Sequence, residues 1–191
     1  MEELLVKIRK CDICQAHLPL GPRPIIAASP KSKIILASQA PGRLAHVHNK
    51  AWDDPSGRKL REWLGVSDEE FYNTDNFAIL PTGFCYPGKG KTGDLPPRRE
   101  CAPLWHKKVW RGFEDVHLTL LIGKYAQDRY LGEKGKKNLT ENVKSFTQFL
   151  PEFFPLPHPS PVNRFWRIKN PWFEEEVVPE LQRQIRHYLN C

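Results

Sequence analysis

The sequence contains no apolar run of about eighteen residues, and no N-terminal segment in which basic residues precede an apolar stretch. The first is the usual signal of a membrane-spanning helix, and the second is the usual signal of secretion. Internal repeats and low-complexity tracts are also missing, which excludes repeat architectures. We therefore expect a cytoplasmic protein without a membrane partner.

The sequence also lacks a complete phosphate-binding loop. The segment Gly88-Lys89-Gly90-Lys91-Thr92 resembles the end of such a loop, but the glycine that must begin it would fall on Cys85. That glycine is needed because the loop wraps its backbone closely around a phosphate. The motif is therefore excluded.

What the chain does contain suits one domain. It has 191 residues, of which 40% are hydrophobic and 11% are aromatic, and this is enough for a single core. We predict one domain over residues 1–191, and we expect a monomer. The formal net charge of +7 favours an anionic partner, of which nucleic acid is the simplest choice.

Short apolar runs alternate with amphipathic segments along the chain. Because such alternation is typical of a parallel sheet covered by helices on both faces, the sequence predicts an α/β fold. The apolar runs predict four strands, at residues 33–38, 77–80, 117–122 and 153–156. Helices are predicted at residues 2–10, from Ser56, at 103–113, after Gly123, at 140–150 and at 174–189.

Polar corners follow two of the predicted strands. The first strand ends in Ser38-Gln39-Ala40-Pro41-Gly42, and the fourth ends in His158-Pro159-Ser160-Pro161. In open α/β sheets ligands bind at the carboxyl ends of the strands, so each corner is a candidate pocket wall. Most strand-to-proline corners are only turns, and the corners taken alone leave that alternative open.

Four of the five cysteines form a second pattern, with Cys11 and Cys14 after the first helix and Cys85 and Cys101 around the long basic loop 81–99. Disulfides are disfavoured in the cytoplasm, and a Cys-x2-Cys pair there more often binds a metal. Four thiolates suit zinc or an iron–sulfur cluster, and scattered buried thiols are the alternative. A metal would anchor both long loops.

Taken together, these motifs resemble the uracil-DNA glycosylase superfamily, and most closely its iron–sulfur branches. Those branches have a first motif of the form Gly-Glu-Ala-Pro-Gly, a second motif that begins His-Pro, and four cysteines with similar spacings. The resemblance spans nearly the whole chain and implies a three-layer α/β/α sandwich around a central four-stranded parallel sheet. It also implies a four-iron four-sulfur cluster on the four cysteines, in preference to zinc.

Three positions depart from the superfamily pattern. Ala40 stands where the classical enzymes have a catalytic aspartate, a gap that the iron–sulfur branches share, so another group would have to activate water. Pro81 stands where the iron–sulfur branches have an asparagine that reads uracil, and proline has no such donor or acceptor. Trp52 stands where they have a phenylalanine that stacks on the base, and tryptophan keeps this ability. The identity of the excised base is therefore left open.

The resemblance implies a monofunctional DNA glycosylase that removes a flipped-out deaminated base, uracil or a related one. In this interpretation His158 donates to the carbonyl oxygens of the leaving base. Asp53 and Asp54 follow Trp52 and are the nearest carboxylates to orient water or to stabilise positive charge on the sugar. A solvated acidic turn is the alternative for these two aspartates.

The remaining predicted site residues contact the base or the DNA. The alternatives are core packing for the aromatic residues and simple solvation for the basic ones. Val162 would be an apolar wedge that fills the space left by the base, with Phe165 and Trp166 extending the apolar tip. The base-binding residues are Gln39, Ala40 and Trp52, and the DNA-binding residues are Ser160, Val162, Arg164, Lys89 and Lys91.

Two other functions remain open from the sequence. Ala40 and Pro81 suit a catalytically silent member that binds DNA or a free base. The cysteines also suit a four-cysteine zinc protein that binds nucleic acid without chemistry.

Overall fold

The computed structural model describes residues 1–136 and 138–190, and a four-stranded sheet lies at its centre. The strand order is β2-β1-β3-β4, and all neighbouring strands are parallel, with Ile35 opposite both Ala78 and Thr119. The predicted sheet is confirmed, and each strand lies within one residue of its predicted bounds. The strands are β1 (Ile34–Ala37), β2 (Phe77–Ile79), β3 (Leu118–Ile122) and β4 (Phe153–Leu156).

Helices cover both faces of this sheet. Alternate strand residues point to opposite faces, so Ile34 and Leu36 enter one core while Ile35 and Ala37 enter the other. The first core receives helices α3 (Pro55–Leu64), α4 (Asp68–Tyr72), α7 (Leu139–Lys144) and α9 (Val178–Leu189). The second core receives α1 (Glu2–Arg9), α5 (Cys101–Trp110) and α6 (Lys124–Leu131). The three-layer α/β/α sandwich is therefore confirmed.

The last helix is predicted at residues 174–189 and is observed at Val178–Leu189. Leu181 and Ile185 are fully buried in the first core, and a π-helical turn, Phe173–Val177, leads into the helix. Among the described residues, no helix combines the length and the apolar character needed to cross a bilayer.

Several local predictions were wrong at helix ends. No helix is predicted between residues 38 and 56, but the structure has a short one there, α2 (Arg43–His48). Helix α3 begins at Pro55, one residue before the predicted Ser56, and is capped by Asp54, whose Oδ1 accepts from the Gly57 N–H at 2.8 Å. The predicted helix 140–150 ends at Lys144, and Phe146 instead stacks on Phe154 of β4 with ring centroids 4.7 Å apart.

The loop 81–99 is held to the second core by a buried histidine. His106 lies in α5, its Nε2 donates to the Pro81 carbonyl oxygen at 3.0 Å, and its Nδ1 accepts from the Tyr130 hydroxyl at 3.2 Å. Its ring stacks on Phe84, with centroids 5.5 Å apart. Burial lowers the pKa of His106 to about 4, with Arg129 contributing in the same direction. The folded protein therefore holds His106 neutral.

This histidine predicts a loss of stability in acid. The pKa of His106 is lower in the folded protein than in the unfolded chain. Its contribution to the free energy of unfolding is therefore full above about pH 6.5 and is lost as the pH falls towards 4. The shift corresponds to about 3 kcal/mol of unfolding free energy. His106→Gln keeps a donor for Pro81 but removes the titration, so urea unfolding of this variant should depend less on pH over the same range. Equal pH dependence in both proteins would contradict the prediction.

Candidate active site and cysteine cavity

An open pocket lies at the carboxyl edge of the sheet, where β1 and β4 end. Residues 38–42 line one wall, and His158 and Ser160 line another. The empty volume is about 1480 Å³, including the part open to solvent. Strand β3 lies between the two motif strands. It is followed by Gly123, whose φ of +81° turns the chain beside the His158 side chain. The two polar corners thus face a single pocket.

His158 is partly buried, and its hydrogen bonds define its protonation. The Ser160 N–H donates to the His158 Nδ1 at 3.2 Å, so this nitrogen is the acceptor of the ring. Burial lowers the pKa of His158, and the nearby Asp54 acts in the opposite direction. A neutral ring with an acceptor at Nδ1 carries its proton on Nε2. His158 therefore has one ring N–H to donate, and the ring lines the pocket.

Trp52 packs against His158 with ring centroids 5.7 Å apart. It is 9% exposed, belongs to the first core and also lines the pocket, so it combines the packing and the pocket role. Its backbone is left-handed (φ 59°), and its carbonyl oxygen accepts from Arg61 at 3.2 Å. Gly57 makes this conformation possible, since a Cβ there would lie 1.7 Å from that carbonyl oxygen.

The two predicted carboxylates have different positions. Asp53 pairs with the His48 Nδ1 at 2.8 Å, and both side chains are more than two-fifths exposed. It is not among the described residues that line the pocket, whereas Asp54 is. The Asp54 Oδ1 caps α3, which fixes the carboxylate.

Asp94 is a pocket carboxylate that the sequence did not predict. A Cβ placed on Gly42 would lie 3.7 Å from the Asp94 Oδ2 and 4.0 Å from the Asp54 Oδ2, so the two carboxylates flank one point on the first motif. Partial burial raises the pKa of Asp94, Lys89 lowers it, and Asp54 raises it. Asp94 lies on a hairpin of the loop 81–99, and no local pattern in the sequence marks it.

The remaining base-binding candidates also line the pocket. The Gln39 Nε2 donates to the Leu95 carbonyl oxygen at 2.9 Å, so its side chain holds the hairpin beside Asp94. Ala40 and Pro81 present no polar side-chain atoms to the pocket, and the Pro81 carbonyl oxygen is bonded to His106. The polar side chains around a bound base would therefore come from other residues.

The tip after the second motif is apolar and exposed. Val162 is 79% exposed and lines the pocket, and Phe165 and Ile168 are 75% and 62% exposed. These two residues lie in α8 (Arg164–Lys169), a helix that the sequence did not predict. Placing Trp166 in the tip was wrong, because its Nε1 donates to Thr140 at 2.9 Å and its ring packs on Phe173.

Arg43 lines the pocket, and other basic side chains lie on neighbouring segments. Lys89 and Lys91 are exposed on the hairpin, and neither forms an ion pair within residues 1–136 and 138–190. A second groove is lined by four basic side chains and one acidic one, together with Pro159 and Pro161 of the second motif. The charged residues are Arg58, Lys59, Arg164, Arg167 and Glu62. Arg58 and Lys59 were not predicted, because only the fold brings α3 beside the second motif.

The four cysteines line one cavity on the other side of the loop 81–99, with Leu18, Phe84 and Leu104 among its apolar walls. The Phe84 N–H donates to the Cys101 Sγ at 3.3 Å. Burial raises the pKa of Cys85 to about 11 and that of Cys101 to about 12, and neighbouring thiols add to both shifts. Among the described residues, no three His, Cys, Asp or Glu side chains are arranged to hold a single metal ion.

The model of the Uracil DNA glycosylase superfamily matches residues 26–182. The match covers both motifs and Cys85 and Cys101, and it begins after Cys11 and Cys14. The protein belongs to this superfamily, which acts on DNA, and it has the superfamily's α/β/α fold. A uracil-DNA glycosylase-like function follows from this membership.

Proposed function

We propose that the protein is a monofunctional DNA glycosylase that hydrolyses the N-glycosidic bond of a flipped-out deaminated base, uracil or a related one. The observation that carries this proposal is the neutral His158, whose one ring N–H lies in the same pocket as the first motif and a fixed carboxylate, Asp54. Family membership supplies the reaction class.

His158 is proposed to stabilise the leaving base. When the bond between C1′ and the base nitrogen breaks, its electron pair passes to the base, and negative charge collects on the carbonyl oxygens. The Nε2–H of His158 would donate a hydrogen bond to one such oxygen, and a neutral ring makes this bond without giving up its proton. The Ser160 N–H keeps that proton on Nε2 throughout.

Asp54 and Asp94 are proposed to act together on the water molecule that attacks the sugar. The water oxygen forms a bond to C1′ as the base departs, and one of its protons passes to a carboxylate. Asp94 suits proton uptake because partial burial raises the pKa of its carboxyl. Asp54 is held by its cap to α3, which suits orienting the water and stabilising positive charge on the sugar. A catalytic role for Asp53 stays a prediction. It has less support than the role of Asp54, because the Asp53 carboxylate is paired with His48.

The exposed tip and the basic side chains are proposed to hold the DNA. Val162 lies on the rim of the pocket, where it could fill the gap left by the base. Trp52 lines the pocket and is proposed to stack on the extruded base, which is worth about 1–3 kcal/mol in comparable sites. Arg58 and Arg164 make no ion pair with any described residue and are therefore available for phosphates.

We also propose that Cys11, Cys14, Cys85 and Cys101 hold a four-iron four-sulfur cluster, which would place the protein in an iron–sulfur branch. The four residues line one cavity and provide only thiol ligands, which suit soft iron–sulfur chemistry. When bound, the cluster would cross-link the N-terminal segment to the loop 81–99.

The proposed activity is tested by incubating the protein with duplexes that contain uracil, hypoxanthine or xanthine. Abasic sites are then revealed by alkaline strand cleavage. We expect excision of at least one base, with strand cleavage only after alkali because the enzyme is monofunctional. A duplex containing only normal bases is the control.

A catalytically silent superfamily member that binds DNA or a free base is the second candidate. It is favoured by the apolar character of Ala40 and Pro81 inside the pocket. Tight DNA binding without abasic sites from any of the three bases would support this candidate and contradict the first.

The DNA interface predicts a strong dependence on salt. Replacing Lys89 and Lys91 by glutamate should reduce the slope of log Kd against log salt by about one unit per lost phosphate contact. The matched control replaces Lys7 and Lys10, exposed on or just after α1 and outside the pocket, which changes the net charge equally. Equal slopes for the two double variants would assign the effect to net charge and not to the hairpin.

A further inference from the structure

Two buried N–H donors in the cysteine cavity have no acceptor among the described residues. They are the Nε1 of Trp105 and the Nε of Arg98. Both residues line the cavity together with the four cysteines. Buried donors are almost always paired in native proteins, so two unpaired donors beside one cavity fit an acceptor there that is not part of the polypeptide.

The groups nearby do not pair the Arg98 Nε. The Arg98 Nη2 donates to the Glu100 Oε1 at 2.6 Å, and the guanidinium also hydrogen-bonds to Cys14, whereas the Nε has no partner among the described residues. The Phe84 N–H is bonded to the Cys101 Sγ, so one donor of this cavity is already directed at sulfur. A thiol sulfur is a weak acceptor, whereas thiolate and sulfide carry negative charge and accept strongly.

We infer that Trp105 and Arg98 donate their N–H groups to sulfur atoms of the bound cluster and thereby raise its reduction potential. The inference rests on the proposed cluster but not on glycosylase activity. Reduction adds one electron and no proton to the cluster, so its sulfur atoms become more negative. Donors aimed at sulfur stabilise the reduced form more than the oxidised form, and hydrogen bonds to the sulfurs are known to set such potentials.

The two donors differ in what they contribute. Trp105 gives a neutral N–H from a rigid ring, and Arg98 gives an N–H from a permanent cation that also lies close to Cys14. Removing the tryptophan donor tests the hydrogen bond alone. Changing Arg98 to lysine keeps the charge but removes the Nε–H, which separates the bond from the charge.

The experiment measures the potential of the anaerobically purified protein by titration with dithionite, followed by visible absorbance and electron paramagnetic resonance. Trp105→Phe keeps an aromatic ring without the N–H. We expect this variant to keep its iron but to have a lower reduction potential than the wild type. Trp110→Phe is the matched control, because the Trp110 Nε1 already donates to the Tyr130 hydroxyl at 3.3 Å, and it should leave the potential unchanged.

The outcomes test the proposed cluster separately from the inferred N–H donors. Wild-type potential in both Trp105→Phe and Arg98→Lys, with full iron, overturns the inference and leaves the cluster in place. A wild-type protein without iron overturns the cluster and the inference together, while the excision assay still judges the glycosylase separately. If Trp105→Phe loses its iron, Arg98→Lys provides the comparison, and an unchanged potential there overturns the inference.

Discussion

Replacing His158 with alanine should lower the rate of base excision by about 10²- to 10³-fold, the usual cost of removing one donor to a developing oxyanion. The loss is expected because His158 is the neutral donor held in the pocket by the Ser160 N–H. Single-turnover excision of the best substrate from the base panel is the measurement, since it isolates the chemical step from product release.

DNA affinity should barely change in the same variant. Phosphate contacts position a protein on DNA, and His158 lies in the pocket and not in the second groove. Fluorescence anisotropy on an undamaged duplex measures this affinity. His117→Ala is the matched control, because His117 precedes β3 at the opposite edge of the sheet and stacks on Tyr188. Equal excision by His158→Ala and wild type would remove His158 from the mechanism.

The sheet could be predicted from the sequence because its strands are short apolar runs that are buried on both faces. Every residue of β1 and β3 is buried, and Thr119 is the one polar residue in these two strands, so the apolar signal is strong. The His-Pro corner and the first-motif corner could also be placed on one edge, because both follow strands of a parallel sheet.

The remaining parts of the site depend on contacts that a local pattern does not record. Asp94 reaches the pocket because Leu95 is bonded to Gly88 and Gln39, residues that are distant in sequence or separated by a turn. Asp53 and Asp54 are adjacent in the chain, but the cap of α3 retains Asp54 in the pocket while Asp53 pairs with His48. Short helices such as α2 and α8 hold too few residues for a periodic signal.

The cysteine cavity gives the other large expected effect. Changing Cys85 to serine should abolish the visible absorbance of the protein and most of its iron. A hydroxyl is a poor replacement for a thiolate, and a cluster with three strong ligands is readily lost. Iron and sulfide are measured after anaerobic purification, with zinc measured in the same samples. Cys191→Ser is the matched control, since this fifth cysteine lies outside the described residues and is not a predicted ligand.

The same variant should loosen the loop 81–99, because Cys85 and Cys101 would otherwise tie both ends of that loop to Cys11 and Cys14. The loop contains the trypsin sites Lys89 and Lys91, both exposed, so limited trypsin digestion reports directly on its opening. We expect faster cleavage there in Cys85→Ser than in Cys191→Ser. His106 still holds Pro81 in both proteins, so the increase should lie between the hairpin and α5 and not at the start of the loop. Stoichiometric zinc and no iron in the wild type would replace the cluster with a zinc site. A wild type that contains neither metal, with equal digestion of both variants, would remove the metal altogether.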